Sequence, residues 1–419
     1  MAEKTYSKWA ILFTTLVMTF MVCLDSSIVT VVLPVMQKEL GVGLDEIQWV
    51  SSVYLLATCV GVLPFGRLGD KRGKVYVFQA GVVVFTLGSL LCGLAQTLPT
   101  LIAARVVQGI GCAAAMANNM GIITEAFPSR ERGRAMGLLS TFVALGMMVG
   151  PVLGGAIVSA FAWEGIFLIN VPVGIASFAV GLRTLPHVRP TADNSAAPAS
   201  FLGAARLCFS NLTFTLNFTT MLIVFVGIGA SEFLLPFYFQ DAHGFSAATS
   251  SLLFMTLPVV NAVVGPVSGT ISDRVGCEVP TVAGFLVYVC GLMLVATLGE
   301  ASSVARVVAF VGLMSMGVSI FQSPNNSLLM GSAPREALGF AGSISSLARY
   351  AGMAIGISAG SAVLYGQMSV AAGYEVTSYV TGRPDVFLFG FASVFHLLAA
   401  VAAVGLAITV VRLVRSRRA

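Results

Sequence analysis

Long apolar segments and short polar connections alternate along this chain from one end to the other. A helix that crosses a membrane needs roughly 20 apolar residues, and the apolar segments reach or approach that length. The predicted fold is an all-α integral membrane protein. Its twelve transmembrane helices are expected near residues 9–35, 47–66, 74–95, 98–121, 134–159, 165–183, 212–239, 247–270, 279–299, 304–330, 337–365 and 386–411.

The composition agrees with a chain that is solvated mainly by lipid. Hydrophobic residues make up 57% of it and charged residues 10%, whereas a soluble domain averages about a quarter charged. In a bilayer the backbone must satisfy its own hydrogen bonds, which favours helices. The net charge of +5 is interpreted as a signal of membrane topology. We therefore expect the lipid bilayer as a partner and no nucleic acid.

Two of the polar connections carry the same short motif. Residues 66–73 and residues 269–276 both read Gly-x-x-x-Asp-basic-x-Gly, 203 positions apart. Transporters built from paired halves have internal repeats of this kind. Further pairs repeat at offsets of 202 to 207, namely Leu33-Pro34 with Leu235-Pro236, Asn118-Asn119 with Asn325-Asn326, and Pro128 with Pro334.

The repeat divides the chain into two halves and a connection. We predict an N-terminal six-helix half over residues 1–183, a cytoplasmic linker over 184–211 and a C-terminal six-helix half over 212–419. The linker is rich in Pro, Ala and Ser and has no apolar run long enough to span a membrane. Within it, residues 201–209 fit a short interfacial helix and an ordinary loop equally well.

Lysine and arginine residues concentrate on alternate connections. With the N-terminus inside, most of the 23 basic residues fall on the cytoplasmic side. This bias predicts that both termini are cytoplasmic and that the protein is a multi-pass protein of the plasma or inner membrane. The first apolar segment is expected to be a span, since it is too long for the apolar region of a signal peptide.

Four motifs resemble signatures of the major facilitator superfamily, specifically its drug:proton antiporter branches. Residues 66–74 resemble the loop motif between spans 2 and 3, and residues 105–111 resemble the span-4 motif with its membrane arginine. Residues 146–155 are similar to the antiporter motif of span 5. Residues 24–34 are similar to the span-1 acidic motif of a branch that usually has fourteen spans. The resemblance covers essentially the whole chain and implies two pseudo-symmetric six-helix halves that work by alternating access.

The chain departs from that pattern in two places. The fourteen-span branch usually has two extra helices between the halves, and the segment 184–211 is too short to hold them. The chain therefore resembles a twelve-span variant. This difference weakens any inference about its substrate from the substrates of fourteen-span relatives. In addition, Glu164 stands where the family pattern tends to have arginine.

Four charged residues fall well inside the predicted helices, away from their ends, namely Asp25, Arg105, Glu232 and Arg349. A charge at the centre of a bilayer costs about 2.5–3.5 kcal/mol on insertion scales, so such residues usually face a cavity or a partner. Asp25 and Arg105 are expected at a similar depth, where they could pair or compete for a proton. We assign proton coupling to Asp25, Arg105 and Glu232. The alternatives are a structural cap for Asp25, a hydrogen-bond hub for Arg105 and a charge that offsets Glu232 for Arg349.

Several polar residues of the predicted spans are candidates for lining a substrate cavity. Apart from Arg349, they are expected at matched positions in the two halves. Hydrogen bonds between helices, worth about 0.6 kcal/mol on average, explain them almost as well. The candidates are Asn118, Asn119, Gln322, Asn325, Asn326 and Arg349.

A third group of residues is expected to control conformation. Glycines in span 5 allow close helix packing and Pro151 bends the helix, while the resemblance adds an antiporter role. Asp70 can accept N–H groups at a nearby helix N-terminus, and the resemblance implies that it latches span 2 to span 11. The candidates are Gly66, Asp70, Arg72, Gly73, Gly150, Pro151, Gly154, Asp273 and Arg274.

The resulting hypothesis is a proton-coupled exporter of small amphipathic or cationic organic molecules, such as drugs. Proton-coupled uptake or uniport of a specific metabolite is the alternative within transport, and a membrane-embedded receptor or enzyme is the alternative from another class. No Gly-x-x-x-x-Gly-Lys-Ser/Thr loop for ATP is present. We expect no cofactor, no metal and no catalytic residues, and a monomer as the default state because one chain holds both halves.

Overall fold

The computed structural model describes residues 7–128, 131–186, 201–334, 338–380 and 382–416. Within these ranges the regular structure is helical, and twelve helical segments are long and apolar enough to cross a membrane. The prediction of an all-α membrane protein with twelve spans is confirmed. The α-helices are α1 Lys8–Leu40, α2 Leu44–Arg72, α3 Lys74–Gly93, α4 Leu98–Ala126, α5 Arg132–Ala160, α6 Gly165–Leu168, α7 Asn170–Thr184, α8 Phe201–Phe209, α9 Leu212–Phe237, α10 Ala247–Phe254, α11 Thr256–Val275, α12 Glu278–Val295, α13 Val304–Ser332, α14 Leu338–Ala372 and α15 Pro384–Ser416.

Two of the spans consist of two helices each, α6 with α7 and α10 with α11. A proline explains the position of each break. Proline has no N–H to donate to the carbonyl four residues earlier, so a helix is weakened there. The carbonyl that Pro172 leaves without this donor belongs to Leu168, the last residue of α6. The carbonyl that Pro258 leaves without a donor belongs to Phe254, the last residue of α10. The first break places Asn170 at the start of α7.

The chain divides into two compact units. The first contains Met1–Val35 and Trp49–Ala197, and the second contains Met36–Gln48 and Pro198–Ala419. The end of α1 and the start of α2 therefore belong to the second unit. There Lys38 forms an ion pair of 2.7 Å with Asp241, which lies on a π-helical turn, Tyr238–Ala242, that follows α9.

In the first unit, glycines bring helix backbones into direct contact. A Cβ atom on Gly88 of α3 would lie 2.5 Å from the backbone nitrogen of Gln108 on α4. Another on Gly81 would lie 2.5 Å from the nitrogen of Ala115. Neither helix could approach so closely with larger residues, and in a bilayer such contacts are a main source of helix association. The α3–α4 pair is therefore a rigid part of the first unit.

The second unit uses the same device between α9 and α14. A Cβ atom on Gly356 would collide with the carbonyl oxygen of Val226, and one on Gly352 would lie 2.7 Å from the Cβ of Phe225. The contacts advance in the same direction along both helices, so α9 and α14 run parallel.

The segment 201–209, for which helix and loop were equally consistent with the sequence, is the helix α8. Cys208 is buried in a cluster with Phe214 and Met221 of α9. The ring of Phe209 makes an edge contact with that of Phe214 at 5.5 Å. The short helix is therefore packed on the start of α9. The rest of the linker, residues 187–200, lies outside the described residues.

The close contact between α9 and α14 predicts the effect of a single methyl group. Gly356→Ala should destabilise the protein by about 1–3 kcal/mol, the usual cost of overpacking, because the new Cβ meets the backbone of α9. Gly366→Ala is the matched control, since a Cβ at that position of the same helix has no atom within 4 Å. Thermal unfolding of the purified variants in detergent measures both. An equal loss in the two variants would contradict the prediction.

Candidate functional site

The carboxylate of Asp25, on α1, lies in the interior of the first unit and accepts three hydrogen bonds. Arg105 on α4 donates from Nη1 to Oδ2 at 2.9 Å. Gln108, one turn further along α4, donates from Nε2 to Oδ1 at 2.9 Å. Asn170, at the start of α7, donates from Nδ2 to Oδ1 at 2.7 Å. Three helices therefore meet at one carboxylate. Asp25 and Arg105, which were expected at a similar depth in the membrane, form a direct ion pair.

The guanidinium of Arg105 is held by more than its partner acid. Its Nε donates to the carbonyl oxygen of Val50 at 3.0 Å, and Nη1 also donates to Oε1 of Gln108 at 2.5 Å. The guanidinium carbon lies 4.1 Å from the centre of the Tyr54 ring, a cation–π distance. These contacts are those expected of the hydrogen-bond hub that the sequence offered for Arg105, and its direct role in proton coupling stays a prediction.

Gln108 links this ion pair to α3. Its Nε2 donates to Oγ of Ser89 at 2.8 Å, and its Oε1 lies 3.7 Å from the thiol of Cys92. These contacts are possible because Gly88 lets the α4 backbone approach α3 at this level. The side-chain amide therefore connects Asp25, Arg105 and α3 at one point.

The whole centre is closed to solvent. The exposed fraction is 0% for Asp25 and Gln108 and 1% for Arg105 and Asn170. Burying charges is costly unless they are paired and hydrogen-bonded, and here the pair is satisfied by neutral donors and acceptors. A proton added to Asp25 would convert one acceptor position into a donor. Protonation of this carboxylate would remove the charge that Arg105 faces and weaken the hydrogen bonds from its three donors.

The third residue assigned to proton coupling lies elsewhere. Glu232 is on α9 in the second unit, where it is partly buried. Arg349 lies on α14 of the same unit, and no N···O distance within 4.0 Å joins the two side chains. Arg349 therefore does not offset Glu232 through a direct ion pair. The structure brings Asp25 and Arg105 together and leaves Glu232 and Arg349 as a separate group.

The asparagines of span 4 make contacts between helices of the first unit. Asn118 donates to the carbonyl oxygens of Phe65 at 3.2 Å and Ala114 at 2.9 Å. Asn119 donates to Oγ1 of Thr19 at 2.6 Å. Both are almost completely buried. The sequence was consistent with two roles for these asparagines, lining a substrate cavity and forming hydrogen bonds between helices. The contacts seen here are of the second kind.

The matched residues of span 10 have more varied surroundings. Asn325 is buried, donates to the carbonyl oxygen of Asn217 at 3.2 Å and accepts from Thr220 at 3.4 Å. Asn326, the next residue, is exposed, and Gln322 is half-buried. Only the last two have side chains that a ligand could reach in this conformation.

The loop motif after α2 is arranged differently from its expected capping role. Asp70 is exposed and its carboxylate lies 3.5 Å from Nζ of Lys74, in place of the expected bonds to N–H groups at a helix start. Lys74 also pairs with Glu125 at 2.5 Å. Gly73 has a φ of 107°, a conformation that favours glycine. Gly66 is half-buried on α2. The motif is thus a glycine turn beside an acid–base cluster.

The basic residues of the two loop motifs, Arg72 and Arg274, are exposed. The side chain of Asp273 lies outside the described residues, as do the side chains of the arginines at 130, 132 and 134 that were candidate partners of Asp70. The latch between span 2 and span 11 remains an expectation. The sequence did not reveal that Gly69 packs directly against Asn118, which ties the motif to α4.

The glycines of α5 pack on α1 around the level of Asp25. A Cβ on Gly146 would lie 2.8 Å from the carbonyl oxygen of Phe20, and one on Gly150 would lie 3.0 Å from that of Leu24. One on Gly154 would lie 3.3 Å from Ile28. Pro151 is buried within α5, which continues through it to Ala160. The expected tight packing of this span is present, and it holds the segment of α1 that carries Asp25.

Sequence reasoning missed three parts of the centre, namely Gln108, Asn170 and Tyr54. Gln108 lies in the quoted span-4 motif, three residues after Arg105 and therefore on the same helix face. Asn170 lies in the segment after Glu164, two residues before Pro172. The spacing could have suggested Gln108. Asn170 and Tyr54 depend on the rotation of their helices, which the apolar pattern does not give.

Within the described ranges there is no group of three or more His, Cys, Asp or Glu side chains that could hold a metal ion. The polar groups at the centre comprise the carboxylate of Asp25, the guanidinium of Arg105, neutral amides and a hydroxyl, and the thiol of Cys92.

Comparisons with known proteins agree with this architecture. A model of the Major Facilitator Superfamily matches residues 15–357. The riboflavin transporter RibZ of Clostridioides difficile is 29% identical over 83% of this chain and 86% of that protein. The tetracenomycin C resistance and export protein of Streptomyces glaucescens is 30% identical over 85% of this chain and 75% of that protein. The solved structure of a bacterial homologue of the human lysosomal transporter Spinster, inward-facing and unoccupied, has a TM-score of 0.77 at 17% identity and 97% coverage of both chains, which shows a shared fold.

The buried pair predicts a strong coupling between its two members. Arg105→Gln should destabilise the protein by about 3–5 kcal/mol, because it leaves the Asp25 carboxylate buried without its cation. Adding Asp25→Asn to that variant removes the unpaired charge, so the double variant should lose less than the sum of the two single changes. A double-mutant cycle of thermal unfolding measures this difference. Additive losses would mean that the two charges do not depend on each other.

Proposed function

We propose that this chain, which belongs to the Major Facilitator Superfamily, is a proton-coupled exporter of small amphipathic or cationic organic molecules. It works by alternating access between its two six-helix halves in the plasma membrane, with both termini in the cytoplasm. Members of the family are transporters and not enzymes. The proton coupling, the direction and the substrate class are the proposed part.

One observation carries the coupling, namely the closed Asp25–Arg105 ion pair. A carboxylate in the interior of a membrane protein is a natural carrier of a proton between two sides. Here three donors stabilise its charged form, with Arg105 the only cation among them. A proton that reaches Asp25 cancels the attraction to Arg105 and changes the hydrogen bonds of α4 and α7. Proton binding would then be linked to the relative position of these helices.

The direction of transport is inferred from two further features. The glycines of α5, which resemble the antiporter motif, pack closely on the segment of α1 that carries Asp25. One relative with 30% identity bears the name of a resistance and export protein. Both support export of an organic molecule in exchange for protons. Phe and Met are abundant in the chain, with 28 and 17 residues, and suit an adaptable apolar binding surface.

A second candidate function is transport of one specific metabolite. The observation in its favour is the 29% identity to a riboflavin transporter over most of both chains. In that case selectivity should be narrow, and a panel of unrelated drugs should compete poorly with a metabolite of the right shape.

Transport by inverted vesicles tests the proposal directly. An imposed pH gradient, acidic inside, should drive accumulation of cationic dyes, and collapse of the gradient with nigericin should release them. Vesicles without the protein are the control. Accumulation that ignores the pH gradient would refute proton antiport, and accumulation of a single metabolite with no dye would favour the second candidate.

Asp25→Asn should abolish uphill export while downhill exchange of substrate survives at least in part. The change keeps the volume of the side chain and fixes it in a neutral form, so the carrier can no longer release a proton. The paired measurement is gradient-driven efflux and substrate-induced proton release in wild type and variant. Asp385→Asn is the control, since that acid is 62% exposed and pairs with Arg383. If Asp25→Asn still pumps uphill with a normal proton signal, Glu232 becomes the leading carrier.

Asp70→Asn should slow turnover and leave substrate affinity nearly unchanged. Asp70 is exposed and contacts Lys74 in the loop after α2, so the change alters a contact that controls conformation and leaves the Asp25 centre intact. Rates and half-saturation concentrations of dye transport separate the two effects. Glu300→Gln, an exposed acid in another turn, serves as the comparison. A sharp fall in affinity at normal turnover would contradict the assignment.

A further inference from the structure

Two charged side chains lie well inside membrane spans of the second unit without a hydrogen-bond partner among the described residues, Glu232 on α9 and Arg349 on α14. Neither takes part in an ion pair within 4.0 Å or in a hydrogen bond among the described residues. Both are only partly buried. Buried polar groups in proteins are normally paired, and charges within a membrane face a partner or a water-filled space. Because both side chains are partly exposed and have no partner among the described residues, their charged ends are free to bind one.

The first unit shows what a paired charge looks like in this protein. There the Asp25 carboxylate has three donors and an exposed fraction of 0%. The acid and the base of the second unit have the same chemistry but lack the supporting amides. The contrast indicates that Glu232 and Arg349 are not a second structural ion pair.

The close packing of α9 on α14 fixes the separation of the two charged residues. Gly352 packs against Leu222 and Phe225, so Arg349, three residues earlier, lies at or before the level of Leu222. Glu232 lies ten residues after Leu222, which is about 15 Å along the helix. Gly229 and Gly356 place the two backbones in contact between these levels. The helices cannot slide freely past each other, so the backbone positions that carry the acid and the base stay at different levels of the two helices.

We propose that Glu232 and Arg349 form a subsite for an organic zwitterion, a molecule that carries a cation and a carboxylate several ångströms apart. Glu232 binds the cationic end. Arg349 binds the carboxylate, since its planar fork matches a carboxylate with two parallel hydrogen bonds. This inference rests on the proposed function, because it names the class of substrate for the same transporter.

A purely cationic substrate would satisfy only half of this subsite. It would leave the guanidinium of Arg349 without an acceptor and would bring a second positive charge close to it. A hydrogen bond to a charged group is worth about 1.5–3 kcal/mol. The zwitterion should therefore bind about tenfold or more tightly than the same molecule with its carboxylate blocked as an ester.

Two dyes with the same ring system provide the probe. Rhodamine 110 carries a delocalised cation and a free carboxylate, and rhodamine 123 is its methyl ester, which keeps only the cation. Equilibrium binding to the purified protein in detergent gives the preference, and proteoliposomes with an imposed pH gradient give the transport. The wild-type protein should bind rhodamine 110 about tenfold or more tightly than rhodamine 123.

Two variants separate the ends of the subsite. Arg349→Gln should lower affinity for rhodamine 110 to near that for rhodamine 123 and should not weaken binding of the ester. Glu232→Gln should weaken binding of both dyes. Arg306→Gln is the control, because Arg306 is an exposed arginine of α13 whose guanidinium lies over Phe310. If Arg349→Gln does not fold, Arg349→Lys keeps the charge without the fork and should reduce the preference.

The outcomes distinguish this inference from the function on which it rests. Equal binding of the two dyes by the wild type, or an equal effect of the Arg349 variant on both, overturns the subsite. Transport of both dyes that ignores the pH gradient overturns proton coupling, while the binding preference still decides the subsite. A preference for rhodamine 110 that is lost in Arg349→Gln and kept in Arg306→Gln supports the subsite.

Discussion

The ion pair between Asp25 and Arg105 is the interaction on which the first unit depends most. Two opposite charges in an apolar interior are tolerated only when their remaining hydrogen-bonding groups are also satisfied. That requirement recruits Gln108, Asn170 and the carbonyl of Val50. These partners come from α4, α7 and α2, and α1 supplies the acid. One electrostatic demand therefore determines how four helices must be rotated.

Close packing makes this arrangement possible. Water does not drive helices together inside a bilayer, so contact between small residues has a larger part in their association than it has in soluble proteins. Gly88 brings α3 against Gln108, and the glycines of α5 fit against the α1 backbone on both sides of Asp25. A bulkier residue at either place would push a helix away from the charged centre. The polar centre therefore depends on the close helix packing that these glycines allow.

The sequence predicted the parts of this structure that depend on depth and failed on those that depend on rotation. Apolar length determines where a helix enters and leaves a membrane, so the twelve spans and the similar depth of Asp25 and Arg105 could be read from the chain. Asn170 reaches Asp25 because α6 ends at Leu168 and α7 starts afresh, which hydropathy does not show. Asp70 was expected to cap a helix, and its contact with Lys74 depends on side-chain directions in the turn. The roles assigned to these residues in transport stay predictions.

The internal duplication explains why the two units share packing but differ in chemistry. Gly146, Gly150 and Gly154 of α5 have counterparts 206 residues later in Gly352, Gly356 and Gly360 of α14. The first set packs on α1 and the second on α9, the first complete span of each unit. The spacing of 206 residues lies within the range of offsets, 202 to 207, found for the other repeated pairs. At the offset of 202 seen for the Leu-Pro pairs, Asp25 corresponds to Gly227, and the hydroxyl of Tyr288 lies against that glycine. The second unit therefore has no equivalent of the closed carboxylate, and its own acid and base stand at unrelated positions. A shared scaffold with unrelated charges is consistent with the two proposals made above, proton exchange in the first unit and substrate binding in the second.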